Sequence, residues 1–183
     1  MNIKAAVVTG TNQLSIETIT LAGPKPTEIL VKMKAAGVCH SDLHTVRGEL
    51  SVEPPLVLGH EGAGMVEAVG SEVTTIKPGD HVLINWLPAC EACPHCLNDH
   101  FNLCERFGPT IYAGRLLDGT SRLTNQAGAS LKHYLGAATM AEYAVIDQAS
   151  AIPIPADVSL DVAAVSGCAV ATGVGAVIRT GQV

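Results

Sequence analysis

Four of the chain's six cysteines, Cys90, Cys93, Cys96 and Cys104, fall within one short stretch. No other feature narrows the possible folds as much. Two CxxC steps share Cys93, and the fourth cysteine closes the loop behind them. A CxxC step lets two thiolates converge from one tight turn. Zinc takes four ligands tetrahedrally, and closed sites of four cysteines are its usual structural form. The segment is polar and has too few large apolar residues to hold itself together by burial. A structural zinc ion can supply apparent folding energy on the order of 10 kcal/mol, which such a lobe needs. Disulfides or unpaired buried thiols are the alternatives, but three cysteines at i, i+3 and i+6 are not expected by chance. Nothing marks the chain as secreted, the setting in which disulfides persist. The residues 90–104 therefore read as a zinc lobe, with His95 and His100 at its surface because four thiolates already fill the metal.

Composition removes other classes. The 183 residues suffice for one domain with a real core. An apolar content of 48% against 15% charged residues suits a globular chain and not a disordered one. The net charge is −6 and no basic run exists, which argues against nucleic acid. An RNA-binding zinc ribbon usually pairs two separated CxxC knuckles with basic residues, whereas this lobe sets Glu91, Asp99 and Glu105 against Arg106. The N-terminus has no apolar signal core. The longest uncharged run, Val162 to Ile178, is shorter than the ~20 residues of a membrane span and reads as a buried helix. The expectation is a soluble, cytoplasmic protein with neither a membrane nor a nucleic-acid partner.

Along the chain, residues 3–9 and 13–20 read as two strands joined at Gly10-Thr11-Asn12. Residues 28–38 begin with the alternation of a half-buried strand, and Ser41 to Val46 read as a short helical turn. Further strands are expected at EGAGMVEAVG, at HVLIN and at Met140–Ile146. Arg106 to Gly136 reads as loop with one hairpin. Pro153 and Pro155 break the chain, after which Asp157 or Ser159 can cap helical segments running to about Thr180. Many short strands with Gly/Pro turns, followed by helix, predict a mainly β fold with a β-barrel core and appended helices.

Two cysteines remain, Cys39 and Cys168. Near the first stand His40, Ser41, Asp42 and His44, and further on come His60 and Glu61 among glycines. A catalytic zinc has three protein ligands and one open position, and Cys39, His60 and Cys168 would make such a set of two thiolates and an imidazole. Residue type alone leaves the alternative open: a lone histidine is often a satisfied polar group and a lone cysteine a small core residue.

Taken together, these motifs resemble the zinc-dependent medium-chain alcohol dehydrogenases. Gly59-His60-Glu61-Gly62-Ala63-Gly64, with Gly70 and Val73, is similar to that family's zinc signature. Gly37-Val38-Cys39-His40-Ser41-Asp42-Leu43-His44 resembles the segment of its first ligand and proton relay, and Ser166-Gly167-Cys168 with Thr172-Gly173 that of its third ligand. The lobe has the family's structural-zinc spacing. The resemblance covers essentially the whole chain and implies a GroES-like β-barrel over 1–183 with the 90–104 lobe inside it. By position it makes Cys39, His60 and Cys168 the ligands of a catalytic zinc, a ligand set already known for alcohol dehydrogenases. Glu61 would sit behind the metal and Asp42 would orient His60. Ser41 and His44 would relay the alcohol proton, His40 would lie near the cofactor pyrophosphate, and Trp86 and Leu135 would line the substrate pocket. Two zinc ions per subunit and NAD(P) are the implied cofactors, a small alcohol or aldehyde the partner, and a homo-oligomer the assembly. An alcohol in the open zinc position is acidified, and the nicotinamide accepts its hydride.

The family's cofactor domain opens on a strand and a GxGxxG turn. Gly173-Val174-Gly175 has no third glycine at Ile178 and lies in a helical stretch, so it is rejected as that fingerprint. The expectation is a catalytic domain without its nicotinamide-binding half or returning C-terminal segment, inactive alone. Two further readings stand beside an ordinary alcohol dehydrogenase. One is an enzyme of the same family that oxidises a thiol adduct of formaldehyde: Ser51-Val52-Glu53 does not match the acidic loop expected there, although Arg106 to Gly136 resembles its long loop in places. The other is a stand-alone zinc-binding interaction module, which would not need an open-site triad.

Overall fold

A computed structural model describes residues 1–50 and 52–183; the Ser51 position lies outside them. Strands β1 (Asn2–Gly10) and β2 (Gln13–Leu21) form an antiparallel hairpin. With β4 (Leu56–Val57), β7 (Leu123–Thr124) and β8 (Ser130–His133) they close a barrel in the order β1-β2-β7-β8-β4. Alternate residues of β1 and β2 point inward, and Ile3, Val7, Ile19, Leu21, Val57 and Leu131 fill the interior. The second layer is a five-stranded sheet, β10-β6-β5-β3-β9, made of β3 (Glu28–Ala36), β5 (Gly62–Val69), β6 (His81–Ile84), β9 (Tyr143–Asp147) and β10 (Ala151–Ile154). Its core holds Ile29, Val31, Val66, Val82, Ile84 and Ile146. The fold is mainly β with appended helices, as the turn-rich pattern implies.

A buried ion pair joins the two layers. Arg122, just before β7, donates from Nε to Glu28 at the start of β3 (2.8 Å) and from its terminal nitrogen to both Glu28 and Asp118. Both Glu28 and Arg122 are buried, and each charge answers the other's desolvation.

Three local expectations need correction. The 106–136 stretch does contain a hairpin, β7–β8, but it also carries the helix α3 (Gly108–Tyr112). Pro153 does not break the chain: it sits within β10, a sheet-edge strand, where a missing N–H costs no interior ladder bond. The run Val162–Ile178 is not a buried helix. Only α4 (Leu160–Ala164) is packed, through Ala163 and Ala164 against Ala63 and Leu83. Beyond it α5 (Ala169–Gly175), prolonged by a wider turn over Ala176–Gly181, leaves Val170, Val174, Val177 and Ile178 about half exposed. The described residues put no apolar surface against that face. No single helix here is long and apolar enough to cross a membrane; α4 and α5 pass by length and composition only as a pair bent by 54°.

Candidate metal centres and active site

Helix α1 (His40–Val46) starts directly after Cys39. Its third residue, Asp42, is buried and ties two distant segments together. One carboxylate oxygen accepts the backbone N–H of Cys39 (2.9 Å), and the other accepts that of Gly59 (3.3 Å). Gly59 is required there: its φ is +94°, and a Cβ would lie 2.5 Å from the backbone nitrogen of Met140. This turn delivers His60 and Glu61 at the entry to β5. The Glu61 carbonyl is fixed by Thr139 Oγ1 (2.8 Å) and Gly37 N (3.2 Å). The third segment arrives at Gly167, which lies so close to the Ile84 carbonyl that no side chain fits, and Cys168 follows.

The result is a cluster in which Cys39, His60, Glu61 and Cys168 each offer a ligand atom, all within 4.8 Å of one another. Asp42 Oδ1 lies 3.4 Å from His60 Nδ1, without hydrogen-bond geometry, so the pairing is electrostatic and Nε2 is left for the cluster. Burial pulls the His60 pKa down, but the Asp42 carboxylate and then Cys39 overcome it and hold it above the ordinary value. Burial likewise works to raise Cys39, and the N–H and hydroxyl of Ser41, followed by His60, hold this thiol below its usual range. Burial pushes the Cys168 thiol up, and the nearby Cys39 and Glu61 add to it. A soft thiolate pair, an imidazole and a carboxylate of this kind fit zinc.

The other named residues fall around the cluster unevenly. Trp86 meets the His60 ring edge-on, with centroids 6.1 Å apart. The carbonyl of Ser41 accepts the Tyr134 hydroxyl (3.0 Å). His40 is exposed and packs edge-on against His44 at 4.3 Å, while the His44 ring is paired with Glu49. Among the described residues no hydrogen bond joins the Ser41 hydroxyl to His44. Leu135 is buried in the core cluster that includes Tyr134, Phe107 and Ile111, with φ +47°. Sequence reasoning missed Tyr134, whose ring stands 5.5 Å from that of His60. It also missed Asn85 and Asn102, which with Trp86, Cys168 and Thr172 line a cavity of about 310 Å³. None of these carries a spacing signal, because they meet only through the tertiary fold.

The four-cysteine lobe is built locally. Cys90 and Cys93 flank a tight turn in which Cys93 N–H donates to Cys90 Sγ (3.3 Å). Helix α2 (Pro94–Leu97) presents Cys96, and a short 3-10 turn over Phe101–Leu103 leads to Cys104. The four sulfurs lie within 4.8 Å of one another, and Cys90 and Cys96 sulfurs are 3.9 Å apart. A tetrahedral zinc with sulfurs at about 2.3 Å needs sulfur–sulfur edges of about 3.8 Å. All six cysteines are free of disulfides. Backbone N–H groups aim at the sulfurs: those of Ala92 and Cys93 hold Cys90 below its usual value, and those of Cys96 and Glu105 do so for Cys93. Burial, with Cys93 beside it, pushes Cys96 up to about 11. The donor set, the spacing and the N–H groups that favour thiolates all fit a zinc ion. His95 is half-buried and His100 exposed.

Residues 25–156 match the alcohol dehydrogenase GroES-like domain family. The alcohol dehydrogenase class-3 of Myxine glutinosa is 44% identical over 188 residues, covering 100% of this chain and 49% of that protein. The S-(hydroxymethyl)glutathione dehydrogenase of Saccharomyces cerevisiae is 40% identical, covering 99% of this chain and 47% of its own length. The chain thus spans about half the length of the curated relatives it matches. Among solved structures, an alcohol dehydrogenase zinc-binding domain protein from Burkholderia ambifaria superposes with a TM-score of 0.90 at 36% identity, over 98% of this chain and 49% of its own. Benzyl alcohol dehydrogenase from Acinetobacter calcoaceticus gives 0.87 at 29% identity, over 98% and 48%. With the family model matching residues 25–156 and relatives of 40% identity or more covering essentially the whole chain, this chain belongs to the alcohol dehydrogenase GroES-like domain family.

Proposed function

We propose that the protein carrying this chain is a zinc-dependent alcohol dehydrogenase, with residues 1–183 as its catalytic domain and 90–104 as a structural zinc lobe within it. The observation that carries the reading is the convergence of Cys39, His60, Glu61 and Cys168 from three separate segments beside an open cavity. A purely structural zinc module has no use for such a site. Cys39, His60 and Cys168 would hold the catalytic ion, with Glu61 behind it, and Cys90, Cys93, Cys96 and Cys104 the structural one. When bound, zinc would supply Lewis acidity to a substrate hydroxyl, and NAD(P) would be the hydride acceptor. The chain's own residues supply the rest. Asp42 fixes the ring orientation of His60 and joins its segment to that of Cys39. Ser41 receives the alcohol proton and His44 passes it to solvent, helped by Glu49 at the ring nitrogen. Trp86 covers His60 and keeps water off the reacting carbon. His40, exposed beside His44, would lie near the cofactor pyrophosphate. NAD(P) binding is assigned to the part of the relatives' length that this chain does not cover, so residues 1–183 alone are expected to give no turnover.

A second reading has support in the relatives' names, two of which are S-(hydroxymethyl)glutathione dehydrogenases. In that case the substrate is the hydroxymethyl adduct of a thiol with formaldehyde. One experiment separates the readings: NAD(P)H formation by the full-length enzyme with ethanol, and with formaldehyde in the presence and absence of glutathione. Oxidation of ethanol supports the first, and formaldehyde turnover only with thiol supports the second. Enzyme holding two zinc ions per chain but inactive with all of them would sink both.

A further inference from the structure

Tyr134 is fully buried beside the candidate catalytic cluster, and the chemistry described above does not use it. Its ring stands 5.5 Å from that of His60. A phenylalanine would fill the same space without a hydroxyl to satisfy. The hydroxyl is directed at one atom far away in the chain: it donates to the Ser41 carbonyl (3.0 Å). Thr45 Oγ1 donates to the same carbonyl (3.0 Å), and across that peptide bond the Asp42 N–H donates to the Cys39 carbonyl (3.1 Å). The peptide joining Ser41 to Asp42 is therefore gripped at both ends, while the N–H and hydroxyl of Ser41 face Cys39.

The tyrosine is itself fixed from behind. Its carbonyl accepts the N–H groups of Ala137 (3.0 Å) and Ala138 (3.3 Å). Leu135 and Ala138 are held at φ +47° and +56°, a region unfavourable to residues with a side chain. Such backbone persists where the surroundings over-determine it. Here they do: the Thr139 N–H donates to the Gly59 carbonyl (3.0 Å), its hydroxyl to the Glu61 carbonyl (2.8 Å), and the Met140 N–H to the Leu58 carbonyl (3.0 Å). Residues 134–140 thus form one strap that grips Ser41 at one end and the turn carrying His60 and Glu61 at the other.

We propose that Tyr134 is a positioning residue for proton release: its hydroxyl, through the Ser41 carbonyl, holds the Ser41 side chain where it can take the proton of the bound alcohol. This rests on the dehydrogenase reading above, in which Ser41 receives that proton. The Ser41 oxygen gains the alcohol proton and gives up its own towards solvent. A serine oxygen hangs from the backbone by one rotatable bond, so slack in the Ser41 backbone passes directly to that oxygen. Proton transfer requires hydrogen-bond reach, and a small misplacement is enough to slow it. The Tyr134 hydroxyl binds no substrate in this scheme, so its loss should leave affinity alone.

The test uses the full-length enzyme with the alcohol or the hydroxymethyl thiol adduct that the unaltered enzyme oxidises. Zinc content is measured for every variant. Tyr134→Phe keeps the ring against His60 and removes only the hydroxyl. In it kcat should fall about tenfold with KM unchanged. The solvent deuterium isotope effect on kcat should rise, because proton release becomes slower relative to the other steps. Thr45→Val removes the second donor to the same carbonyl and should move kcat and the isotope effect in the same direction; it decides the matter if Tyr134→Phe loses zinc or fails to fold. An unchanged kcat in both variants, a rise in KM alone, or a fall in kcat with an unaltered isotope effect overturns the inference and leaves the dehydrogenase reading intact. No turnover of either substrate class by the zinc-replete unaltered enzyme overturns that reading and the inference with it.

Discussion

The two cysteine sites are built in opposite ways from the same chemistry. The lobe draws all its ligands from one continuous stretch, so closing it costs little chain entropy and requires nothing beyond its own turns. The Cys39–His60–Glu61–Cys168 cluster draws on the residue that caps α1, on the entry to β5 and on the segment after α4, so it exists only when barrel, sheet and C-terminal helices are all in place. A local site is a property of a sequence segment, whereas an assembled site is a property of the whole fold. The two should therefore fail under different perturbations.

The largest effect is expected at the lobe. On the zinc-lobe reading proposed above, it would depend on the metal for folding energy on the order of 10 kcal/mol. Cys104→Ser should remove one zinc per chain and open the 90–104 segment to proteolysis. It should also loosen Phe107 and Ile111, which pack in the same core cluster as Cys96 and Cys104. A lobe that stays protease-resistant with its zinc gone would break the comparison, because its cohesion would then come from packing.

Next comes the hinge of the assembled site. Gly59→Ala places a methyl against the backbone nitrogen of Met140 and forces a side-chain-bearing residue to φ +94°. We expect a loss of about 3 kcal/mol in stability and a displaced His60, while the lobe retains its zinc. Metal analysis of the variant decides it: loss of both ions together would mean that the lobe is not independent.

The same division explains what the sequence reveals. The CxxC steps announce the lobe because all its geometry is local, and turn residues with short-range alternation place β1, β2, β3 and β5 close to their true bounds. His60 and Glu61 stand out for their glycines, which the fold uses: Gly59 for the turn, and Gly62 to admit Met33 and Thr139 against the strand. Cys168 is legible only by resemblance, since nothing in its apolar surroundings distinguishes it from a core cysteine. Tyr134 and Asn102 carry no periodic or spacing signal, for each reaches the site across long-range contacts. Pro153 misleads because a proline's meaning depends on whether its strand is an edge, which is a fact of topology. The run after Cys168 misleads because hydropathy reports a preference for burial, and not the presence of a partner.

A smaller effect probes the barrel that the assembled site depends on. His133 is fully buried; its Nε2 accepts the Arg122 backbone N–H (3.1 Å), and Nδ1 has no partner among the described residues. Burial, with the Arg122 and Arg115 charges, pushes its pKa down to about 3. The unfolded chain binds the proton first, near pH 6.5. The stability contributed by keeping His133 neutral is therefore complete above about pH 6.5 and is lost as pH falls toward 3. Between pH 6.5 and 5 the barrel should lose about 2 kcal/mol from this group. Hydrogen exchange in β7 and β8 should show that slope, and His133→Gln should flatten it. An equal slope in the variant would assign the acid sensitivity elsewhere. Since Tyr134, the next residue, holds Ser41, barrel loosening should also be felt at the catalytic cluster before the lobe.

The smallest expected change in stability comes from Cys168→Ser, and it cuts deepest into the comparison. Cys168 is half-buried, and α5 beyond it contains no buried residue. Removing its sulfur should alter global stability by less than about 1 kcal/mol. Its role in the metal site is a separate matter. In residues 1–183 alone, the apolar face of Val170, Val174 and Val177 lies open, which favours association or rearrangement of the segment that must bring the third ligand. Asp42 ties the Cys39 backbone to the Gly59 turn that carries His60, but two such candidate ligands and one poorly braced one would give a weaker site than four local thiolates. Purified 183-residue chain should therefore hold close to one zinc, in the lobe, with the catalytic cluster only partly filled. Cys168→Ser should change that count little. Two zinc ions per chain, falling to one in the variant, would show that the assembled site forms without further bracing, and the contrast between local and assembled ligands would then lie in their folding and not in their occupancy.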